Sequence, residues 1–175
     1  MENRHTLSVL VENRPGVLTR IAGMFARRAY NIHSLAVGPT DDEGVSRLTI
    51  VVGTEAVQLE QIIKQLNKLI HVLKIIELDR DDAVLRELQL VKVVADHTNR
   101  SQIIEIADVF RANIVDVAAD AITIEVAGSP AKLEAMVDLL EPFGIRELVR
   151  SGTIALSRGS RSITDGSRLR MQRVV

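Results

Sequence analysis

A chain of 175 residues, 46% hydrophobic and with a formal net charge of −1, is long enough for one ordinary domain or two small ones and has the apolar content to bury a core. It contains no cysteine, which excludes disulfides, thiolate nucleophiles and cysteine-ligated zinc, and aromatic residues are only 2%, which leaves almost no stacking surface. No apolar run approaches the roughly 20 residues of a membrane span, and Met1-Glu2-Asn3-Arg4-His5 lacks the apolar segment of a signal peptide, so a cytoplasmic protein without membrane contact is expected.

Residues 5–12 alternate as a strand, with Leu7, Val9 and Val11 on one face, and Val17, Leu18, Ile21, Ala22 and Phe25 then recur at helical spacing, predicting a helix near 16–29. The junction Asn13-Arg14-Pro15-Gly16-Val17-Leu18 carries chemistry of its own. Pro15 suits a first helical turn, and Gly16 lets a ligand approach the backbone with no Cβ in the way. The free N–H groups of Gly16, Val17 and Leu18 would point at one spot at the positive end of the helix dipole, where a carboxylate fits. The same residues would also serve as a plain helix start. Ile32 to Val37 returns to an extended pattern, Gly38-Pro39-Thr40-Asp41-Asp42-Glu43-Gly44 is a turn cluster, and 46–52 reads as the second arm of a hairpin. Leu59, Ile62, Ile63, Leu66 and Ile70 mark one face of a second helix, and 72–78 is a strand. The order is β-α-β-β-α-β, in which right-handed crossovers place both helices on one face of a four-stranded antiparallel sheet.

After the charged connector Asp79-Arg80-Asp81-Asp82 the order recurs, with a strand at 88–94, a helix at 103–110, a hairpin at 114–117 and 121–126, a helix at 133–140 and a strand at 145–149. Val52-Gly53-Thr54-Glu55-Ala56 and Ala127-Gly128-Ser129-Pro130-Ala131 both leave a strand through glycine towards a hydroxyl cap, and Asn31-Ile32 and Asn113-Ile114 open equivalent strands. The fold class is therefore α+β, two ferredoxin-like domains in tandem at 1–79 and 80–159. Where the first has its Pro-Gly loop, the second has Asp96-His97-Thr98-Asn99-Arg100. The stretch 158–175 holds five arginines against Asp165, a net charge of +4 that leaves −5 for the remainder, and its glycines and serines predict a basic, flexible tail over 160–175.

No catalytic constellation is in view. His5, His33, His71 and His97 lie on different elements without metal-ligand spacing, and Asp41, Asp42 and Glu43 read as a solvated turn. There is no Gly-x-Gly-x-x-Gly, phosphate loop or nucleophile elbow. The β-α-β-β-α-β order is shared with RNA-binding modules, the rival from another class, but those stack bases on aromatics of their central strands. Here Phe25, Tyr30, Phe110 and Phe143 fall in helices or at their ends, so no nucleic-acid partner is expected. Asn31 opens the second strand at an edge of the sheet, and a second copy aligned edge to edge would bring its Asn31 towards the first copy's Asn13. Two side-chain amides would then orient one ammonium and one carboxylate. Asn31 is also well suited to a tight helix-to-strand turn.

The Asn13–Leu18 loop in this setting resembles the ACT domain, a module that often binds an amino acid between paired copies. Tyr30-Asn31-Ile32-His33-Ser34-Leu35-Ala36-Val37-Gly38-Pro39-Thr40-Asp41 and Arg150-Ser151-Gly152-Thr153-Ile154-Ala155-Leu156-Ser157-Arg158-Gly159 narrow the match and resemble the small, regulatory subunits of acetolactate synthase, or acetohydroxyacid synthase, from about residue 4 to 159. The resemblance implies a homodimer through the ACT domain and a large catalytic subunit that carries thiamine diphosphate, magnesium and flavin (FAD), with no cofactor on this chain. It also implies activation of that subunit and feedback inhibition by a branched-chain amino acid, usually valine, with leucine and isoleucine presenting the same zwitterion. On that match Asn13, Pro15, Gly16, Val17 and Leu18 of one chain and Asn31 and Ile32 of the other form the effector site.

Overall fold

In the computed structural model, which describes residues 4–165, strand β1 (Arg4–Glu12) carries Leu7, Val9 and Val11 on one face, as its alternation predicts. Helix α1 (Val17–Arg27) lays Val17, Ile21, Met24 and Phe25 on that face, an apolar stripe of helical period. Strands β2 (Ile32–Pro39) and β3 (Val45–Gly53), helix α2 (Ala56–Leu66) and strand β4 (Val72–Leu78) complete the unit. The antiparallel sheet runs β2-β3-β1-β4. Each crossover spans one strand, β1 to β2 over β3 and β3 to β4 over β1, so both helices lie on one face. Leu59, Ile62 and Leu66 of α2 close the core over Leu48, Ile50 and Val52.

The order repeats as β5 (Ala83–Val94), α3 (Arg100–Val109), β6 (Asn113–Val117), β7 (Ala121–Gly128), α4 (Pro130–Leu140) and β8 (Ile145–Arg150), with the sheet ordered β6-β7-β5-β8. Its core holds Val91, Val93, Ile122, Ile124 and Val126 beneath Ile103, Leu133, Met136 and Leu140. The described chain divides into two compact units, residues up to Val84 together with those from Thr153 onward, and Leu85–Gly152.

Four details differ from the sequence-based expectations. Helix α2 stops at Leu66, so Ile70 leaves the predicted face and is 58% exposed, while Leu69 packs on the core from the connecting turn. Strand β5 starts at Ala83, because the apolar run Ala83-Val84-Leu85 extends it back almost to the charged connector. The paired hydroxyl caps hold in one copy only: Ser129 Oγ accepts from Lys132 N–H at 3.3 Å, whereas Thr54 gives its hydroxyl to Gln58 and Glu55 stands at the N-cap without a side-chain bond.

The fourth difference lies at the end of the chain. A short ninth strand, β9 (Ile154–Ser157), pairs with β5, and the next segment returns across the second face of the first sheet. Thr153 N–H donates to Ser34 Oγ at 2.7 Å, Lys74 Nζ donates to the Asp165 carbonyl at 2.9 Å, and Ile163, 4% exposed, packs with Leu10 and Val45. Within the expected flexible tail, residues 160–165 are therefore tied down by an apolar anchor that their polar surroundings concealed. Arg168, Arg170 and Arg173, which dominate the tail's charge, lie outside the described residues. Ile163→Ala is expected to lower unfolding stability by about 2 kcal/mol, the lower end of the range for removing a buried isoleucine. Denaturant titration measures it, and a solvated tail would give no shift.

Candidate functional site

Strand β1 runs out into a turn at Asn13. Its N–H donates to the Gly44 carbonyl at 2.8 Å and its Nδ2 to the Glu43 carbonyl at 3.1 Å, which pins the loop to the β2–β3 hairpin. The chain then passes through Gly16 at φ 83°, the N-cap of α1, where no side-chain oxygen caps the helix. Pro15 lies in the turn before Gly16, so its expected place in the first helical turn is corrected: the left-handed glycine redirects the chain between Pro15 and Val17, and only glycine takes that conformation without strain.

The donors of this loop are left largely unused. Arg20 N–H is the first to bond back, to the Gly16 carbonyl at 3.0 Å, and Val17 N–H reaches the Arg14 carbonyl only at 3.4 Å. Among the described residues the N–H groups of Gly16 and Leu18 find no protein acceptor. Two of the three expected donors are thus open and the third is weakly engaged. A Cβ built on Gly16 meets nothing within 4 Å, so the approach is clear. Val17 points its side chain into the core and offers only its backbone, whereas Leu18 is 43% exposed beside the open donors. Asn13 spends its amide N–H on Glu43, which leaves Oδ1 as an acceptor without a protein partner among the described residues. Donors for a carboxylate and an acceptor for an ammonium therefore share one loop.

Asn31 and Ile32 are elsewhere. Glu12, which precedes Asn13, pairs with Val45, while Ile32 pairs with Val52. Those β3 positions are seven residues apart, about 24 Å at the rise of an antiparallel strand. One chain thus carries the two halves of the predicted site at opposite ends of its sheet. β2 is an edge strand, and antiparallel pairing of two β2 edges brings the Asn31 end of one copy to the Asn13 end of the other.

One cluster escaped the sequence. Glu12, whose side chain is 7% exposed, holds Arg14 Nε at 3.1 Å and His71 Nδ1 at 3.0 Å, and its N–H donates to the His71 carbonyl at 2.9 Å. A carboxylate buried to this degree requires such partners. Its sole signal is an acid closing an apolar strand, and nothing in spacing links it to a histidine on another element. The second unit answers the same junction differently. Asp96 Oδ1 accepts from Thr98 N–H at 2.7 Å and Asn99 N–H at 3.2 Å, and Asn99 Oδ1 accepts from Asp96 N–H at 2.8 Å. There the loop's own carboxylate takes the N-cap donor, Asn99 N–H, whose counterpart Gly16 N–H is left open in the first loop.

Among the described residues, no three His, Asp or Glu side chains gather as around a metal ion, and no helix is long and apolar enough to cross a membrane. Residues 7–74 match the family described as the AHAS small subunit-like ACT domain, and residues 86–159 match the small subunit of acetolactate synthase. An acetolactate synthase small subunit from Mycolicibacterium smegmatis is 57% identical over 91% of this chain and 94% of its own length. One from Mycobacterium leprae is 53% identical over 91% and 94%. The crystal structure of the acetolactate synthase small subunit from Thermotoga maritima superposes with a TM-score of 0.84 at 37% identity, covering 91% of this chain and 99% of that one.

The closed second loop gives a pH test. The hydrogen bonds from Thr98 hold the Asp96 carboxyl below its ordinary value. A carboxyl whose folded value is depressed stabilises the fold above its unfolded value of about 3.9, and that stabilisation is lost as pH falls through the lower folded value. Asp96→Ala should therefore unfold more easily than wild type at neutral pH, with the gap narrowing only in acid. Denaturant midpoints across the acid range measure it, and a gap independent of pH would contradict the assignment.

Proposed function

The chain belongs to the family of acetolactate synthase small subunits, regulatory proteins with an ACT domain, and from that footing we propose that it binds a branched-chain amino acid between two copies of its first domain. It activates a large catalytic subunit, and through that site it makes the subunit sensitive to feedback inhibition. Thiamine diphosphate, magnesium and FAD belong to that partner, and this chain supplies no catalytic group.

The observation that carries this reading is the open loop at Asn13–Leu18, with two N–H donors and an amide oxygen that have no protein partner among the described residues. An amino-acid zwitterion presents the complementary pair, a carboxylate acceptor and an ammonium donor. Asn31 and Ile32 of the partner subunit close the site across the β2 edges, and Leu18, exposed at the rim, offers apolar surface to a branched side chain. Valine is the proposed effector, with leucine and isoleucine as competitors for the same groups. The RNA-binding alternative finds no support in the side chains: Phe25 is buried edge-on against Tyr30, with ring centres 6.4 Å apart, and no strand among the described residues carries an aromatic.

A ligand shared by two chains alters activity only by favouring one arrangement of the dimer, and a coupling of about 1–3 kcal/mol suffices. Gly16→Asp places a carboxylate among the effector's donors and strains the left-handed position by about 1 kcal/mol. Valine inhibition of the reconstituted enzyme should vanish while activation survives. Asn31→Ala should weaken valine binding about thirtyfold, roughly 2 kcal/mol for a hydrogen bond to a charged group, by calorimetry. Unchanged valine binding in both variants would return the loop to a plain helix start. Sedimentation of the whole chain with saturating valine should give a dimer, and a monomer under those conditions would exclude a shared site.

A further inference from the structure

The apolar anchor near the end of the described chain sits at the root of the effector loop. Ile163, 4% exposed, packs with Leu10 of β1 and Val45 of β3, each 2% exposed, and with Leu73 and Ile76 of β4. The turn that presents it is braced by its own bonds: Ser162 N–H donates to Asp165 Oδ2 at 2.7 Å, and Asp165 N–H to the Ser162 carbonyl at 3.1 Å. Lys74, which pairs with Leu10 across the sheet, holds the Asp165 carbonyl through its Nζ. One apolar side chain on a preformed turn therefore plugs this part of the first unit.

Val45 is also the residue on which the β2–β3 hairpin closes. Its N–H donates to the Asp42 carbonyl at 2.9 Å, and its carbonyl accepts from Thr40 N–H at 3.1 Å and Thr40 Oγ1 at 3.0 Å. The two residues before it, Glu43 and Gly44, supply the carbonyls that fix Asn13. Across the sheet Val45 pairs with Glu12, the residue before Asn13. Residues 41–44 are exposed, so packing fixes the hairpin from its root at Val45. Both supports of Asn13, the hairpin and the end of β1, thus rest on side chains that Ile163 covers.

We propose that Ile163 is a positioning residue for the amino-acid site: seated against Leu10 and Val45, it steadies the hairpin carbonyls that orient Asn13 and so sets the affinity for the effector. This role rests on the effector reading and adds to it a part of the chain outside the Asn13–Asn31 set. A loop already held in its binding arrangement binds more tightly, because the ligand does not have to order it. Linkage makes the effect reciprocal, so a ligand that favours the fixed hairpin favours the seated turn by the same factor.

The test is calorimetric titration of the full chain with valine, together with hydrogen exchange at residues 160–165 with and without valine. Ile163→Ala should weaken valine binding by about tenfold, inside the roughly 5–150-fold range of coupling between sites. Ile163→Leu, which conserves volume, should restore most of the affinity. Valine should slow exchange at 160–165 in wild type, a measurement that decides the matter even where Ile163→Ala does not fold. Lost stability alone leaves the affinity unaltered while the chain stays largely folded, since the apparent constant scales with the competent fraction. Val126→Ala, in the core of the second unit, controls for this and should bind valine as wild type does. Unweakened binding in Ile163→Ala, an equal loss in Val126→Ala, or exchange at 160–165 indifferent to valine would each overturn the proposal and leave the effector site standing. A wild type that binds no valine would overturn the effector reading, and this role with it.

Discussion

Strand β1 is hydrogen-bonded on both sides and buried on both faces, and the first unit is organised around that constraint. β3 and β4 satisfy its backbone. The two helices cover Leu7, Val9 and Val11, while Thr6, Ser8 and Leu10 on the reverse face are also buried, Leu10 in part by Ile163. A strand with no free edge and no free face cannot slide, so its end at Glu12 is a fixed point. The adjoining loop inherits this rigidity through Asn13, bonded twice to the β2–β3 hairpin, and through the Glu12 contacts with Arg14 and His71. Open donors on a loop are useful only where the loop does not relax to satisfy them internally, and the anchored strand end prevents that relaxation.

The periodicities that announced the fold were those that a single interface dictates. Leu7, Val9 and Val11 and the α1 stripe face one core, and a two-residue or 3.6-residue period follows from that alone. Burial on two faces leaves a weaker trace. Thr6 and Ser8 give no burial signal because hydroxyl residues tolerate both environments, and the cover over Leu10 is a lone isoleucine inside a run of serine, arginine and threonine. The limit of α2 was hidden for a related reason: Ile70 continues the apolar period past the helix, and only the turn geometry transfers the packing role to Leu69.

At the loop the composition Asn-Arg-Pro-Gly marked a special junction, because glycine and proline restrict the backbone in ways that few other settings require. The sign of φ at Gly16 was not legible, and it decides whether Pro15 begins the helix or precedes it. The Glu12–His71 contact was invisible for a general reason: it joins residues 59 positions apart, and nothing in a one-dimensional pattern encodes which acid meets which histidine.

The two units show how one fold separates an open junction from a sealed one. Both place a turn between a central strand and the first helix, where backbone N–H groups lie unused by the helix. In the second unit Asp96, three residues before the N-cap Asn99, accepts from Thr98 and Asn99 N–H, so a carboxylate that is part of the chain takes the N-cap donor that Gly16 leaves open in the first. In the first unit the residue three before the N-cap is Asn13, whose amide is bonded to the Glu43 carbonyl, and the nearest acid, Glu12, is engaged with Arg14 and His71. An internal carboxylate is held at an effective concentration that no small metabolite matches, so a loop that carries one is closed to effectors of that class. Replacing the internal acid and committing the neighbouring one elsewhere leaves the Gly16 and Leu18 N–H groups without a protein acceptor among the described residues. The difference lies in a few side chains at one junction, while the sheet order and helix placement of the two units stay the same.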